Sequence, residues 1–486
     1  MSNPYYVPRK GLVQMDTIKT GSLIIGSLQS QVSQFLRRFA QTGCDALSSL
    51  LTNEQLESLI LKHSDAHRNR IYPPLTTVGL FLEQVLGADH SCQDVVARVQ
   101  SQLIAQGSSE SSLDTGAYCK ARKRLKSTLL PALSKALSER LSQAQSNSWR
   151  WRGTRDIKLI DGTTVLMPDT AKNQAAYPQS SQQKAGLGFP VMRIVATISL
   201  GCGAVLDWVS GACAGKLTGE TAMMRQLDAT FKPGDIVLSD RYYSGYFTVA
   251  RQVQRGVDFV SRQHQKRHTD FEQGQRLGKG DHVVKWRRPV RPKWMTPEEY
   301  EKVPLSLDVR ETRVGEWILI TSLTDAKAIS PLELNEIYGW RWHIELDFRA
   351  VKSIMQIEML RCKTPEMVEK EVAAHLFAYN LVRSVMAQAG NKVNCTPRQL
   401  SFKAAMQQMR AFEDRLFHSG CEQIMSLCDA LIRGVSQVKI PHRPGRVEPR
   451  AIKRRSKNHA HLMQPRAVLK AQLQAQYDLN MTAVFA

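Results

Sequence analysis

The 486-residue chain is short of acidic residues, with 44 Asp and Glu against 66 Lys and Arg, and carries a formal net charge of +22. Long apolar runs are missing too. None approaches the ~18 uninterrupted residues of a membrane span, and even Val191 to Leu200 is broken by Arg193 and Thr197. An integral membrane protein is therefore excluded and no membrane partner is expected. Met1 to Lys10 holds charge but no apolar stretch leading to a small-residue cleavage site, so no signal peptide is expected and the compartment is read as cytoplasmic. The nine cysteines are scattered, without a C-x-x-C pair or a histidine at zinc-finger spacing, which argues against a disulfide framework or structural zinc. Internal repeats are lacking as well. A hydrophobic fraction of 42% with 8 Trp and 12 Tyr excludes whole-chain disorder, and the length suggests about three folded units.

What is abundant is positive charge, which draws polyanions, either nucleic acid or an anionic surface. It is uneven. Leu431 to Ala486 has 11 Lys and Arg against 2 acids, mostly in the proline-punctuated run from Pro441 to Lys457. Arg262 to Lys293 has 10 against 3, with Trp286 interleaved and Trp294 just beyond. The first reads either as a solvated tail or as a DNA contact, the second as a surface patch on a folded region.

Apolar periodicity predicts helices over Leu23 to Phe39, Leu56 to Leu61, Leu75 to Leu86, Cys92 to Gln106 and Leu129 to Ala144. Tyr118 to Leu125 is basic and reads as a DNA-contacting helix or a solvated helix face. From about residue 151 the pattern turns to strands. Ile157 to Asp161 alternates and meets Gly162, predicting a strand that ends in a turn. Val191 to Leu200 and Ala204 to Val209 read as a hairpin, Thr218 to Phe231 as a helix, Asp235 to Asp240 as a buried strand, Tyr246 to Gln254 as a helix and Val257 to Ser261 as a strand. Residues 263–315 look irregular, and Glu316 to Ser322 returns to strand.

A helix then runs from Ser330 to about Met355, with Ser330 as N-cap, Pro331 at its first position and Glu333 completing a capping box. At about 100° per residue, Tyr338, Arg341, Glu345 and Lys352 fall within an arc of about 60°. A charged stripe on a helix that also carries Trp340, Trp342, Ile344 and Phe348 suggests the lining of a cleft; a salt-bridged surface is the plainer alternative. Asp347 points away from that face and reads as structural. Asp161 and Asp240 close two strands, and with Glu345 they make an oxygen-donor set suited to hard divalent ions.

The spacing Tyr338-x2-Arg341-x3-Glu345-x6-Lys352 resembles the YREK signature of DDE transposases of bacterial insertion sequences, and Asp161-Gly-Thr-Thr and Ser239-Asp-Arg-Tyr-Tyr243 resemble that group's two aspartate motifs. The likeness is clearest over about 155–385. The N-terminal Phe81 to Gln84, Ser91-Cys92 and Thr115 to Tyr118 and the tail Arg443-Pro-Gly-Arg446 also look like those of members.

The resemblance implies an α/β fold: an RNase H-like mixed sheet flanked by helices, occupying 151–385 with a β-rich insertion at about 263–315. An all-helical N-terminal DNA-binding domain (1–150) and a helical, basic C-terminal region (386–486) would flank it. It implies Asp161, Asp240 and Glu345 as catalytic residues and ligands of two Mg²⁺, replaceable by Mn²⁺, with Tyr338, Arg341, Lys352 and Arg262 on DNA phosphates. Trp317 would stack a flipped base; a core tryptophan is the alternative, as a surface charge is for Arg262. The implied activity is metal-dependent cut-and-paste cleavage and strand transfer by a nucleoid-associated homodimer on double-stranded DNA, at terminal inverted repeats and a target, with or without hairpin ends. A repressor derived from a transposase and a nuclease without strand transfer are the rival readings.

Overall fold

The computed structural model describes residues 52–65, 71–105, 107, 112–215, 218–418, 421–441 and 462–485. The N-terminal decapeptide, the helix expected over Leu23 to Phe39, and the basic run beyond Pro441 with its Arg443-Pro-Gly-Arg446 motif lie outside them. Helices follow where apolar spacing placed them, α1 Asn53–His63, α2 Pro74–Leu86, α3 Cys92–Ala105 and α5 Leu129–Gln143, while α4 Gly116–Arg124 falls on the basic block Tyr118 to Leu125. Thr52 and Gln55 form a capping box on α1, and Pro74 opens α2.

The strands are β1 Ile157–Leu166, β2 Val191–Ser199, β3 Val205–Ala212, β4 Ile236–Ser239, β5 Asp258–Arg262, β6 Gln275–Gly278, β7 Asp281–Arg287, β8 Ser306–Val314 and β9 Trp317–Thr321. Among the described residues they form one nine-stranded sheet in the order β3-β2-β1-β4-β5-β9-β8-β7-β6. β2 is antiparallel to β1 and β3, whereas β1, β4 and β5 run parallel. A five-strand order 3-2-1-4-5 with only the second strand reversed is an RNase H-like arrangement. Helices α6 Ala171–Ala176, α7 Glu220–Met224, α8 Tyr246–Gln254 and α9 Pro297–Glu301 lie between strands, and α10 Pro331–Gly339, α11 Trp342–Arg349, α12 Pro365–Lys392, α13 Phe402–His418, α14 Cys421–Gln437 and α15 Arg466–Phe485 follow them.

Three sequence expectations are corrected. β1 does not turn at Gly162: it continues to Leu166, with Gly162 opposite Val195 of β2, because β2 supplies backbone partners along its whole length. The helix expected over Thr218 to Phe231 is only the short α7 followed by a 3₁₀ turn, Arg225–Thr230. Residues 263–315 are not irregular, since β6, β7 and β8 all fall within them. Their alternation is hidden because β8 buries Arg310, Glu311 and Thr312. Arg310 is held bidentate by Asp281 at 2.8 and 2.7 Å, and Glu311 accepts from the Trp286 indole at 2.8 Å.

The core has two sides. Leu159, Val165, Ile194 and Ile198 pack with Phe377, Leu381 and Val385 of α12 and with Leu75, Phe81 and Leu133 of the N-terminal helices. Ile160, Val195 and Val237 face Met223, Leu227 and Tyr243 on the other. Burying each large apolar side chain contributes about 1.5–3 kcal/mol. Asn380 of α12 bonds both backbone groups of Val205 at 2.8 Å and reaches Ser134 of α5 at 3.1 Å, tying helix, sheet edge and N-terminal helices together.

Asp347 on α11 is fully buried. Burial alone would push its carboxyl up, but Arg398 and Arg383 reverse this and hold it below the usual carboxylate range. Arg383 bonds Asp347, and Arg398 bonds it twice at 3.0 Å while also donating to Ser199 at the end of β2. Asp347→Asn leaves two buried guanidinium groups uncompensated and is expected to cost about 3–5 kcal/mol, read as a lowered midpoint of urea unfolding; a loss below about 1 kcal/mol would contradict this role.

Candidate active site

The site lies where the sheet opens. The β1–β4 pairing ends at Leu159 opposite Leu238, so β1 proceeds beside β2 alone and leaves a notch beyond the end of β4. Crevices outside the carboxyl ends of strands, at such switch points, are where α/β sheets place ligands. Asp161 is the second residue past the last β1–β4 pair. Asp240 directly follows β4 and caps the 3₁₀ turn Arg241–Tyr243, accepting from the Tyr242 N–H at 2.7 Å. Its backbone is fixed from β5, where Ser261 Oγ donates to the Asp240 carbonyl at 2.8 Å.

Glu345 comes from the segment read as one helix from Ser330 to Met355. It is two helices with a tight turn at Trp340–Arg341, where Arg341 N–H bonds Tyr338 O at 3.0 Å and Ile344 N–H bonds Arg341 O at 3.1 Å. Gly339 lowers helical preference at the break. Residues 350–354, carrying Lys352, form a π-helical turn. The capping box is half formed: Ser330 accepts from the Glu333 N–H, while the Glu333 carboxylate is taken by Arg152 at 2.7 Å.

Arg341 joins the pieces. Its guanidinium stands 3.4 Å from Asp161 and 2.9 Å from Glu345, linking sheet and helix, with side-chain exposures of 18% for Arg341, 20% for Asp161 and 38% for Glu345. Burial opposes its charge, but Tyr338, Glu345 and Asp161 hold its proton more firmly than usual. The Asp161 carboxyl is pushed up to about 6, first by burial and then by the nearby Asp240 and Glu220, against the pull of the Gly162 N–H and Arg341. Tyr338 is buried and its phenol raised by burial; its ring meets Trp317 edge-on at 6.4 Å. Trp317 is 43% exposed, and the Arg262 guanidinium lies 4.5 Å from its ring. Arg262 over Trp317 and Tyr338 edge-on to it thus form one cluster. Lys352 is half-buried and makes no ion pair among the described residues.

One acid in the notch is not evident from sequence reading. Glu220, at the start of α7, presses on Gly162 so closely that a Cβ there would stand 2.5 Å from the Glu220 carboxyl carbon. Tyr243 Oη donates to it at 3.3 Å and Arg193 Nε is 3.7 Å away. The glycine directly after a strand aspartate was the available signal.

The transposase DDE domain family matches residues 152–381. Transposase InsG of insertion sequence element IS4 from Escherichia coli K12 is 30% identical over 314 residues, covering 62% of this chain and 68% of that protein. The transposase of element IS421 from Escherichia coli is 33% identical over 72 residues, 15% of this chain and 19% of its own. A piggyBac transposase in a synaptic complex with hairpin DNA is similar at TM-score 0.42 and 10% identity, over 85% of this chain and 87% of that one. The chain belongs to the DDE transposases of bacterial insertion sequences. It is accordingly a DNA-binding enzyme of transposition, in a family generally dependent on divalent metal ions. No helix among the described residues is long and apolar enough to cross a membrane.

A carboxyl whose folded value lies above its unfolded one weakens the fold as pH rises from 3.8 through about 6. In EDTA at pH 7, Asp161→Asn is therefore expected to stabilise the protein by about 1–3 kcal/mol, a gain shrinking by about half at pH 5. Chemical denaturation at the two pH values checks it; an unchanged or growing gain at pH 5 would contradict the assigned sign.

Proposed function

We propose that Asp161, Asp240 and Glu345 are the catalytic triad and that the protein, as a homodimer, binds the terminal inverted repeats of its own element, cuts there and joins the freed ends to target DNA. The observation that carries this reading is Arg341 bridging Asp161 on the sheet and Glu345 on the helix at the notch beside Asp240. The donors suit Mg²⁺ or Mn²⁺: all are carboxylate oxygens, and Asp161 is a half-buried acid with Asp240 and Glu220 repelling it. Bound there, divalent ions would supply activation of water and stabilisation of the leaving oxygen.

The chain's own groups would do the rest. Arg341 and Lys352 meet phosphates at the element end, and Tyr338 supports them from the helix. One strand is hydrolysed to leave a 3′-hydroxyl. That hydroxyl attacks the opposite strand's phosphorus to give a hairpin and releases the flanking strand's 3′-hydroxyl. Water reopens the hairpin to a 3′-hydroxyl and a 5′-phosphate, and the 3′-end attacks target DNA and releases a target 3′-hydroxyl. Each transfer thus forms one phosphodiester as it breaks one, and each hydrolysis consumes one water. Arg262, Trp317 and Tyr338 support the hairpin route: an exposed indole backed by a cation and a second ring is a rigid plate for an unstacked base.

Asp161→Asn, Asp240→Asn and Glu345→Gln are each expected to abolish Mg²⁺-dependent cleavage of duplexes carrying the element's inverted repeats while keeping gel-shift affinity within a fewfold. Cleavage retained in any one removes that residue from the triad. Wild-type protein that binds tightly without cutting would indicate a repressor, and cut ends never joined to target would indicate a nuclease. Trp317→Ala should slow hairpin formation about tenfold or more by losing base stacking, with first-strand nicking spared; equal loss of both steps would contradict the stacking role.

A further inference from the structure

Beyond Leu159 and Leu238 no backbone hydrogen bond joins β1 to β4, yet Asp161 and Asp240 must keep a fixed separation across that gap. Glu220 spans it. Its carboxyl packs on the Cα of Gly162, the residue after Asp161, in space that any side chain at 162 would fill. The same carboxyl accepts from Tyr243 Oη at 3.3 Å, and Tyr243 closes the 3₁₀ turn that Asp240 caps. Arg193 of β2 approaches from the side, with Nε 3.7 Å from Glu220 Oε1 and Nη1 donating to Thr218 O at 2.6 Å, steadying the entry to α7. Tyr243 is almost fully buried, so its hydroxyl has a defined direction.

We infer that Glu220 is a positioning residue of the active site: with Gly162 and Tyr243 it forms a side-chain bridge across the β1–β4 gap that sets the spacing of Asp161 and Asp240, and so the affinity of the site for divalent cations. This rests on the proposed assignment of the two aspartates. Gly162 is then small for a stated reason, since the bridge needs its missing side chain. A group acting at one remove on metal ligands characteristically alters metal affinity about 10- to 100-fold.

The test is Mn²⁺ binding to the full-length protein, followed by electron paramagnetic resonance, beside the Mn²⁺ dependence of cleavage, with melting temperature as the control for folding. Glu220→Ala is expected to weaken Mn²⁺ binding about tenfold or more and to raise the half-saturating Mn²⁺ for cleavage in parallel, with inverted-repeat binding kept. Glu220→Gln, which preserves shape and the acceptor for Tyr243, should recover most of that loss. Gly162→Ala should weaken Mn²⁺ binding as Glu220→Ala does, and the double variant should be no worse than Glu220→Ala alone, because both act through one bridge. Wild-type Mn²⁺ affinity in a folded Glu220→Ala protein overturns the inference. So does Glu220→Gln as impaired as Glu220→Ala, which would make the charge, not the bridge, the active element. Asp161→Asn separates the two levels: if it binds Mn²⁺ and cleaves normally, the triad assignment fails; if it is inactive while Glu220→Ala binds Mn²⁺ normally, only the bridge fails.

Discussion

The aim of Glu345 depends on a buried carboxylate two residues further along the same helix. Asp347 faces the opposite way, into the protein, where Arg383 from α12 and Arg398 after it close on it. Taking three charges out of water is expensive, and apolar replacements of equal volume often stabilise as much or more. What the ion triad supplies is direction. Arg398 also donates to Ser199, so the rotation of α11 is referred to the end of β2, the strand paired with β1. The helix acid and the strand acid are thereby positioned against a common frame before Arg341 links them.

That frame holds a site working against stability. Three acids, Asp161, Asp240 and Glu220, stand near one another in a partly buried notch, and the rise of the Asp161 carboxyl toward neutrality expresses the cost. Arg341 relieves part of it by occupying the space between Asp161 and Glu345. A guanidinium there offsets part of the cleft's negative charge, using planar paired donors that match carboxylate geometry.

Much of this was legible in the sequence because it rests on local rules. The helices of residues 53–143 kept their apolar period, the hairpin of β2 and β3 its alternation, and Asp240 its place at the end of a short apolar run. The aspect missed most plainly was polarity used as core. In β7 and β8 the inward positions are Arg310, Glu311, His282 and Asp281, satisfied by one another, so no hydrophobic alternation marks the strands. Strand β1 failed differently: Gly162 imitates a turn, and only tertiary context shows that it leaves room for Glu220. The helix from Ser330 was correct in its start and in bringing Arg341 beside Glu345. The tight turn at Trp340–Arg341 reflects packing that no wheel projection contains.

The charge of the chain looks different once its partners are known. Between Arg262 and Lys293 the sequence offers ten cations to a polyanion, but several are already spent inside the protein. Arg262 lies over Trp317, Arg267 over Trp286 at 3.5 Å and Arg288 over Tyr300 at 3.9 Å, the last also bonded to two backbone carbonyls. These cations stiffen aromatic surfaces. Lys266, Arg276, Lys279, Arg287 and Lys293 face solvent and remain able to meet a phosphate backbone. An arginine over a ring keeps its full charge and still draws a polyanion from a distance; what the packing limits is its reach to a phosphate. Arg262 is the cation that backs Trp317, while Arg267 and Arg288 stiffen Trp286 and Tyr300.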